Sequence, residues 1–183
     1  MSETQKTIKV WDIFVRVFHW TFAVAITLAW VSHEWRGVER SWHEWLGYTA
    51  LGLAILRIVW GFVGTKYARF SNFLHWPGHY VRYLGALLRG TEKRYVGHNP
   101  LGGLMIVALL ITAIGTGVTG YYLTQYSAGP FGGDEEFLEE LHELLSNLFL
   151  VLVPLHILGV IWESIRHKES LVKAMITGLK KAE

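Results

Sequence analysis

The chain has 183 residues, 51% of them hydrophobic and only 17% charged, with a mean hydropathy of +0.28. A typical soluble domain carries roughly 25% charged residues, so the deficit points to lipid. The net charge of +2 is small and says nothing by itself, and no nucleic-acid partner is expected; the total absence of cysteine excludes disulfides, thiolate zinc sites, iron–sulfur clusters and haem held by thioether links.

Spanning a bilayer takes about 20 mostly apolar residues, and four stretches qualify. The first runs from about Phe14 to Ser32. It carries Arg16 and His19 and is followed by no small-residue cleavage site, so it reads as a span and not as a removed signal. The second runs from about Trp42 to Val63, with Ser41 and Glu44 spaced as a capping box at its start. The third runs from about Leu101 to Thr124, where Asn99 supplies an N-cap and Pro100 the first helical position. The fourth begins after Gly132-Gly133-Asp134, enters lipid near residue 138 and runs to about Ile165. Its first turns are acidic (Glu135, Glu136, Glu139, Glu140), which suits the positive end of a helix dipole. Between spans two and three, Phe70 to Gly90 is too short and too charged to cross. An amphipathic segment lying in the interface is expected there. The fold class is therefore all-α: an integral membrane four-helix bundle, a single domain over residues 1–183, with that interfacial segment between helices 2 and 3.

Lys and Arg set the orientation. The N-terminal segment (Lys6, Lys9, Arg16), the long connection (Lys66, Arg69, Arg82, Arg89, Lys93, Arg94) and the C-terminal tail (Arg166, Lys168, Lys173, Lys180, Lys181) share one side and hold fourteen basic residues. The other side holds two, Arg36 and Arg40. Both termini are expected in the cytoplasm. The nine tryptophans suit interfacial belts.

Ionisable groups inside spans are costly and usually functional. His19 lies toward the inner end of span one, and His43 in the first turn of span two, at the outer end. On span four, His142 and His156 are fourteen residues apart. That spacing returns to within about 40° of one face and covers roughly 21 Å. His43 and His142 thus share an outer depth, and His19 and His156 an inner one. Each pair can supply the two axial nitrogens of one haem b, and two such haems would form an electron path across the membrane. Arg57 follows His43 by fourteen residues and sits at the inner depth, where a haem propionate would answer its charge. Arg16, three residues before His19, could do likewise. Gly47, one turn after His43, would let a flat macrocycle approach the backbone. Gly115, Gly117 and Gly120 thin span three, although glycine there also serves helix packing. Pro154 is expected to bend span four near His156.

The same histidines admit other readings. Each alone could be an interhelical hydrogen-bonder or a proton relay. His43-Glu44 with His142-Glu143 could form a metal site, making the chain a non-redox metal or proton transporter, although neighbouring helix residues point about 100° apart. His33 and His167 flank spans and read as solvated. His75, His79 and His98 read as surface or headgroup contacts, with Arg57, His79 and His98 the candidates for a quinone site on the inner side.

Four pieces of sequence resemble the bacterial di-haem cytochrome b561 family, which includes b-type cytochrome subunits of Ni/Fe hydrogenases. They are V-W-D-I-F-V-R-V-F-H-W at Val10–Trp20, H-E-W-L-G-Y at His43–Tyr48, R-Y-V-G-H-N-P-L-G-G at Arg94–Gly103, and the His142/His156 pair. The resemblance covers nearly the whole chain. It implies four helices, two non-covalent haems b, location in the bacterial inner membrane, and His19, His43, His142 and His156 as axial ligands. It further implies electron transfer between the quinone pool and a redox partner, such as a periplasmic cytochrome c or a dehydrogenase subunit. The acidic stretch Asp134–Glu140 could dock such a partner. A second reading within the resemblance is a stand-alone superoxide:quinone oxidoreductase, with Arg36 and Arg40 near the outer haem. Some hydrogenase cytochromes continue into a further span where this chain ends, and a homodimer is compatible with the sequence.

Overall fold

The computed structural model describes residues 6–35, 39–125 and 134–182. Along the chain lie β1 (Thr7–Lys9), α1 (Ile13–Glu34), α2 (Arg40–Val63), α3 (Phe70–Phe73), α4 (Pro77–Leu88), α5 (Pro100–Gln125), α6 (Glu135–Arg166), α7 (Leu171–Thr177) and β2 (Leu179–Lys181). Helices α1, α2, α5 and α6, with 22, 24, 26 and 32 residues, are each long and apolar enough to cross a membrane. Their large apolar side chains are widely exposed; on α6 these include Leu150, Val151, Leu155, Leu158 and Ile161. In water such faces would be a heavy cost, whereas lipid tails solvate them. The chain is a multi-pass helical membrane protein.

The helix ends show how local chemistry sets the boundaries. Asn99 Oδ1 accepts the Gly102 N–H at 2.7 Å, so the expected cap of α5 forms with Pro100 as its first residue. Asp134 does the same for α6, accepting the Phe137 N–H at 2.8 Å. The capping box expected at Ser41 and Glu44 does not form. Helix α2 begins two residues earlier than expected, at Arg40; the Ser41 hydroxyl turns to the Glu39 carboxylate (3.2 Å), and Glu44 pairs with Arg40 one turn back (3.4 Å). Pro154 lies inside α6, which stays one continuous helix from Glu135 to Arg166. The interfacial stretch between α2 and α5 is two helices, α3 and α4, with Trp76, Val81 and Leu88 among its most exposed side chains.

By its internal contacts the chain divides into two compact units. The first comprises Met1–Arg16, Val59–Val107 and Pro154–Glu183. Here β1 and β2 pair antiparallel, Ile8 opposite Lys180, tying the two ends of the chain together. Val10, Trp11, Val15, Ala68 and Ala174 are buried beneath them, packed against Trp60, Tyr67 and Met175. Asp12 is the hub: its carboxylate accepts from the Val15 N–H (2.8 Å), the Trp60 indole (3.1 Å) and the Thr65 hydroxyl (2.6 Å). Glu169 holds Arg94 (3.0 Å), the Lys181 N–H (2.6 Å) and the Lys180 ammonium (3.4 Å). Phe73 is fully buried against Gly103, where any side chain would collide with it.

The second unit comprises Val17–Ile58 and Ala108–Val153. Its interior is built from small residues, including Ala25, Ala29, Ala50, Ala54 and Ala113, which let helices approach closely. Glycines on α5 act as holes for leucines: a Cβ on Gly117 would lie 2.8 Å from Leu51, and one on Gly115 would lie 2.8 Å from Leu145. Those two glycines serve packing, the plainer of the roles open to them in the sequence.

Candidate functional site

The second unit brings His43 of α2 and His142 of α6 together, with ring centroids 6.1 Å apart and ring planes at 74°. The Nδ1–H of His43 donates to the Ala29 carbonyl on α1 at 2.9 Å. The Nδ1 of His142 stands 3.0 Å from the Thr116 carbonyl and 3.0 Å from the Thr119 hydroxyl, both on α5. A carbonyl can only accept, so Nδ1 carries the proton in both rings, and in a neutral imidazole this leaves the lone pair on Nε2. Both rings are thus locked in the tautomer that ligates a metal through Nε2, with the other nitrogen tied to a backbone oxygen as metal-bound histidines usually are. Two imidazoles on opposite sides of one ion, each bound at about 2.0–2.1 Å, have centroids roughly 6 Å apart.

The donor set decides between metals. A closed zinc site takes four protein ligands, and among the described residues no group of three or more His, Asp or Glu stands close enough to share an ion. Haem iron needs only two axial nitrogens from the protein, because the macrocycle supplies the other four. Two histidines alone therefore suit haem better than zinc. Space agrees with this. A Cβ built on Gly47, one turn beyond His43, would meet nothing within 4 Å. On α5, by contrast, a Cβ on Gly120 would touch His142 Cε1 at 3.0 Å, so the bare backbone there makes room for the imidazole.

His19 also lies in the second unit, edge-on to Trp20 at 5.0 Å. Arg57 lies there too, on α2, and is only 3% exposed. His156 belongs to the first unit. Arg16 lies there as well, where its guanidinium donates to the Ile176 carbonyl at the end of α7. His33 is exposed and stands 5.5 Å from the His43 ring. Arg36 lies outside the described residues, and Arg40 is engaged with Glu44.

The remaining histidines are more engaged than the sequence suggests. His98 packs between aromatic rings, 4.5 Å from Trp11 and 4.8 Å from Phe73. His79 Nε2 is 3.1 Å from the Tyr95 hydroxyl, and its ring is 4.4 Å from His75. Burial, reinforced by the neighbouring His79, lowers the pKa of His75. His167 is not simply solvated but sits 3.2 Å from Glu163, whose carboxylate also accepts from Asn99 (2.6 Å) and Tyr83 (3.1 Å). Burial and Glu163 together raise the pKa of Tyr83 well beyond the usual phenol range. Sequence reasoning missed Thr116 and Thr119, whose oxygens orient His142. Hydroxyls in an apolar span read as helix back-bonding, and nothing in the sequence aims them at a histidine.

Four spanning helices and a facing pair of half-buried histidines suit a membrane cytochrome of the b type. The sequence profile of prokaryotic cytochrome b561 matches residues 10–178, and the chain belongs to that family. It is accordingly a transmembrane electron-transfer protein that uses haem b. Among similar proteins is a probable Ni/Fe-hydrogenase B-type cytochrome subunit of Azotobacter vinelandii, 28% identical over 95% of this chain and 88% of that protein. Another, of the same description, comes from Rhizobium leguminosarum bv. viciae, 27% identical over 95% of this chain and 89% of that protein. No solved structure matches this chain.

Proposed function

We propose that the protein binds two haems b and carries electrons through them between the quinone pool and a redox partner on the far side of the bacterial inner membrane. The observation that carries this reading is the His43/His142 pair, with 6.1 Å between centroids and both Nδ1 atoms tied to backbone oxygens. We assign that pair to the outer haem. His19 and His156 are assigned to the inner haem from their depth along α1 and α6. Haem b would supply the one-electron carrier; the chain would supply the histidine nitrogens that hold its iron and the counter-charges. Arg57, buried on the stripe of α2 that carries His43, is the partner we assign to a propionate.

The basic side is placed in the cytoplasm, which puts the His75–His79–Tyr95 cluster at the inner face, and quinone exchange is assigned there. Oxidising a quinol releases two protons with two electrons, and His79, hydrogen-bonded to Tyr95, is a group able to take up a proton. His98, the other histidine considered for that role, is held by aromatic packing. At the opposite end, Glu135, Glu136, Glu139 and Glu140 are exposed and available to a basic partner. The hydrogenase description of the relatives supports an electron-donating or electron-accepting subunit as that partner.

Purified protein mixed with a reduced short-chain quinol should show haem reduction. The variant His79→Ala should slow it roughly tenfold or more, while leaving dithionite-reducible haem unchanged. Full reduction by dithionite with none by quinol would rule out the quinone side of the proposal.

A further inference from the structure

Helix α5 carries no histidine, and its sequence suggests packing alone. The structure gives it a second task. Thr119 is only 6% exposed, and its Oγ1 stands 3.0 Å from His142 Nδ1. The same Oγ1 lies 2.9 Å from the Gly115 carbonyl and 3.0 Å from the Thr116 carbonyl. These contacts have one consistent proton arrangement. The His142 Nδ1–H points between the Thr116 carbonyl and the Thr119 oxygen, and the Thr119 hydroxyl proton goes on to a carbonyl of its own helix, one turn back. Each bond polarises the next. Gly120 presses on the ring at Cε1, so α5 grips the imidazole by its nitrogen and its edge.

We propose that Thr119 is a positioning residue that sets the redox potential of the outer haem through His142. This rests on the reading of His142 as an axial ligand. A hydrogen bond accepted from Nδ1–H makes Nε2 more basic, and a more basic axial nitrogen stabilises ferric over ferrous iron. Thr119 therefore holds the outer haem at a lower potential than the Thr116 carbonyl would alone. It also fixes the plane of the ring, which sets the anisotropy of the low-spin ferric state.

The test is a redox titration of the purified holoprotein, with electron paramagnetic resonance of its oxidised form. Thr119→Val keeps shape and removes the acceptor. One haem should rise in midpoint potential and change its ferric signal, the other should keep both, and Thr119→Ser should restore the original values. If Thr119→Val does not accumulate, Thr119→Cys, with a similar shape and a weak acceptor, should give a smaller shift in the same direction. Unchanged potential and signal in whichever variant carries its full haem complement would overturn the proposal. A failure of the underlying reading looks different: His142→Ala would then retain all of its haem.

Discussion

Over the His142 ring, the backbone of Gly120 leaves room for a hydrogen and nothing larger without adjustment. A methyl at that position would stand 3.0 Å from Cε1, so Gly120→Ala must push the imidazole or the helix by a few tenths of an ångström. Overpacking of this kind typically costs about 1–3 kcal/mol. The expected outcome is weaker retention of one haem, by roughly 5- to 150-fold, measured as haem lost on dilution while the other haem stays. Gly117→Ala is the control: it collides with Leu51 and should lower thermal stability without favouring loss of either haem. At this scale the sequence showed the histidines, because an imidazole in an apolar span is conspicuous and helix periodicity gives its depth. It did not show their hydrogen-bond partners. Ala29 and Thr116 act through backbone oxygens, which have no side-chain signature, and Thr119 is chemically indistinguishable from the other threonines of α5.

At the scale of elements, the four spanning helices were legible to within a few residues, because length and hydropathy alone define them. The short elements were not. β1, α7 and β2 lie in segments that read simply as basic tails, although Ser170 and Gly178 do flank α7 as N-cap and left-handed C-cap. They exist because they share a core and two carboxylates. Asp12 would have its pKa raised by burial, but hydrogen bonds from Thr65, Val15 and Trp60 outweigh this and lower it. Glu169 is likewise opposed by burial and lowered overall by the Lys181 N–H, Arg94 and Lys180. Both carboxyls are thus more acidic folded than unfolded. Their stabilisation is complete above the ordinary values of 3.8 and 4.5 and is lost as pH falls through the lowered folded values. The protection of amides in α7 and β2, relative to their intrinsic exchange rates, should therefore fall on acidification. Asp12→Asn with Glu169→Gln should bring that weaker protection to neutral pH and flatten its pH dependence. Protection equally strong at neutral and acid pH in the native protein would contradict this role.

Across the whole molecule, pairing of β1 with β2 puts the two ends of the chain together, as an even number of crossings requires. All fourteen basic residues assigned from sequence to one side fall in the unit that contains this sheet. Among the described residues, only Arg40 and Arg57 of the Lys and Arg side chains fall in the other unit. Reporter fusions at either terminus should accordingly be active in the cytoplasm and silent in the periplasm. The most direct measurement of the central claim is haem content in purified protein and in four single variants, His19→Ala, His43→Ala, His142→Ala and His156→Ala. Two haems per chain are expected in the parent. His43→Ala and His142→Ala should lose the same haem, His19→Ala and His156→Ala the other, each told apart by its midpoint potential. One haem per chain, or equal loss of both haems from all four variants, would contradict the account.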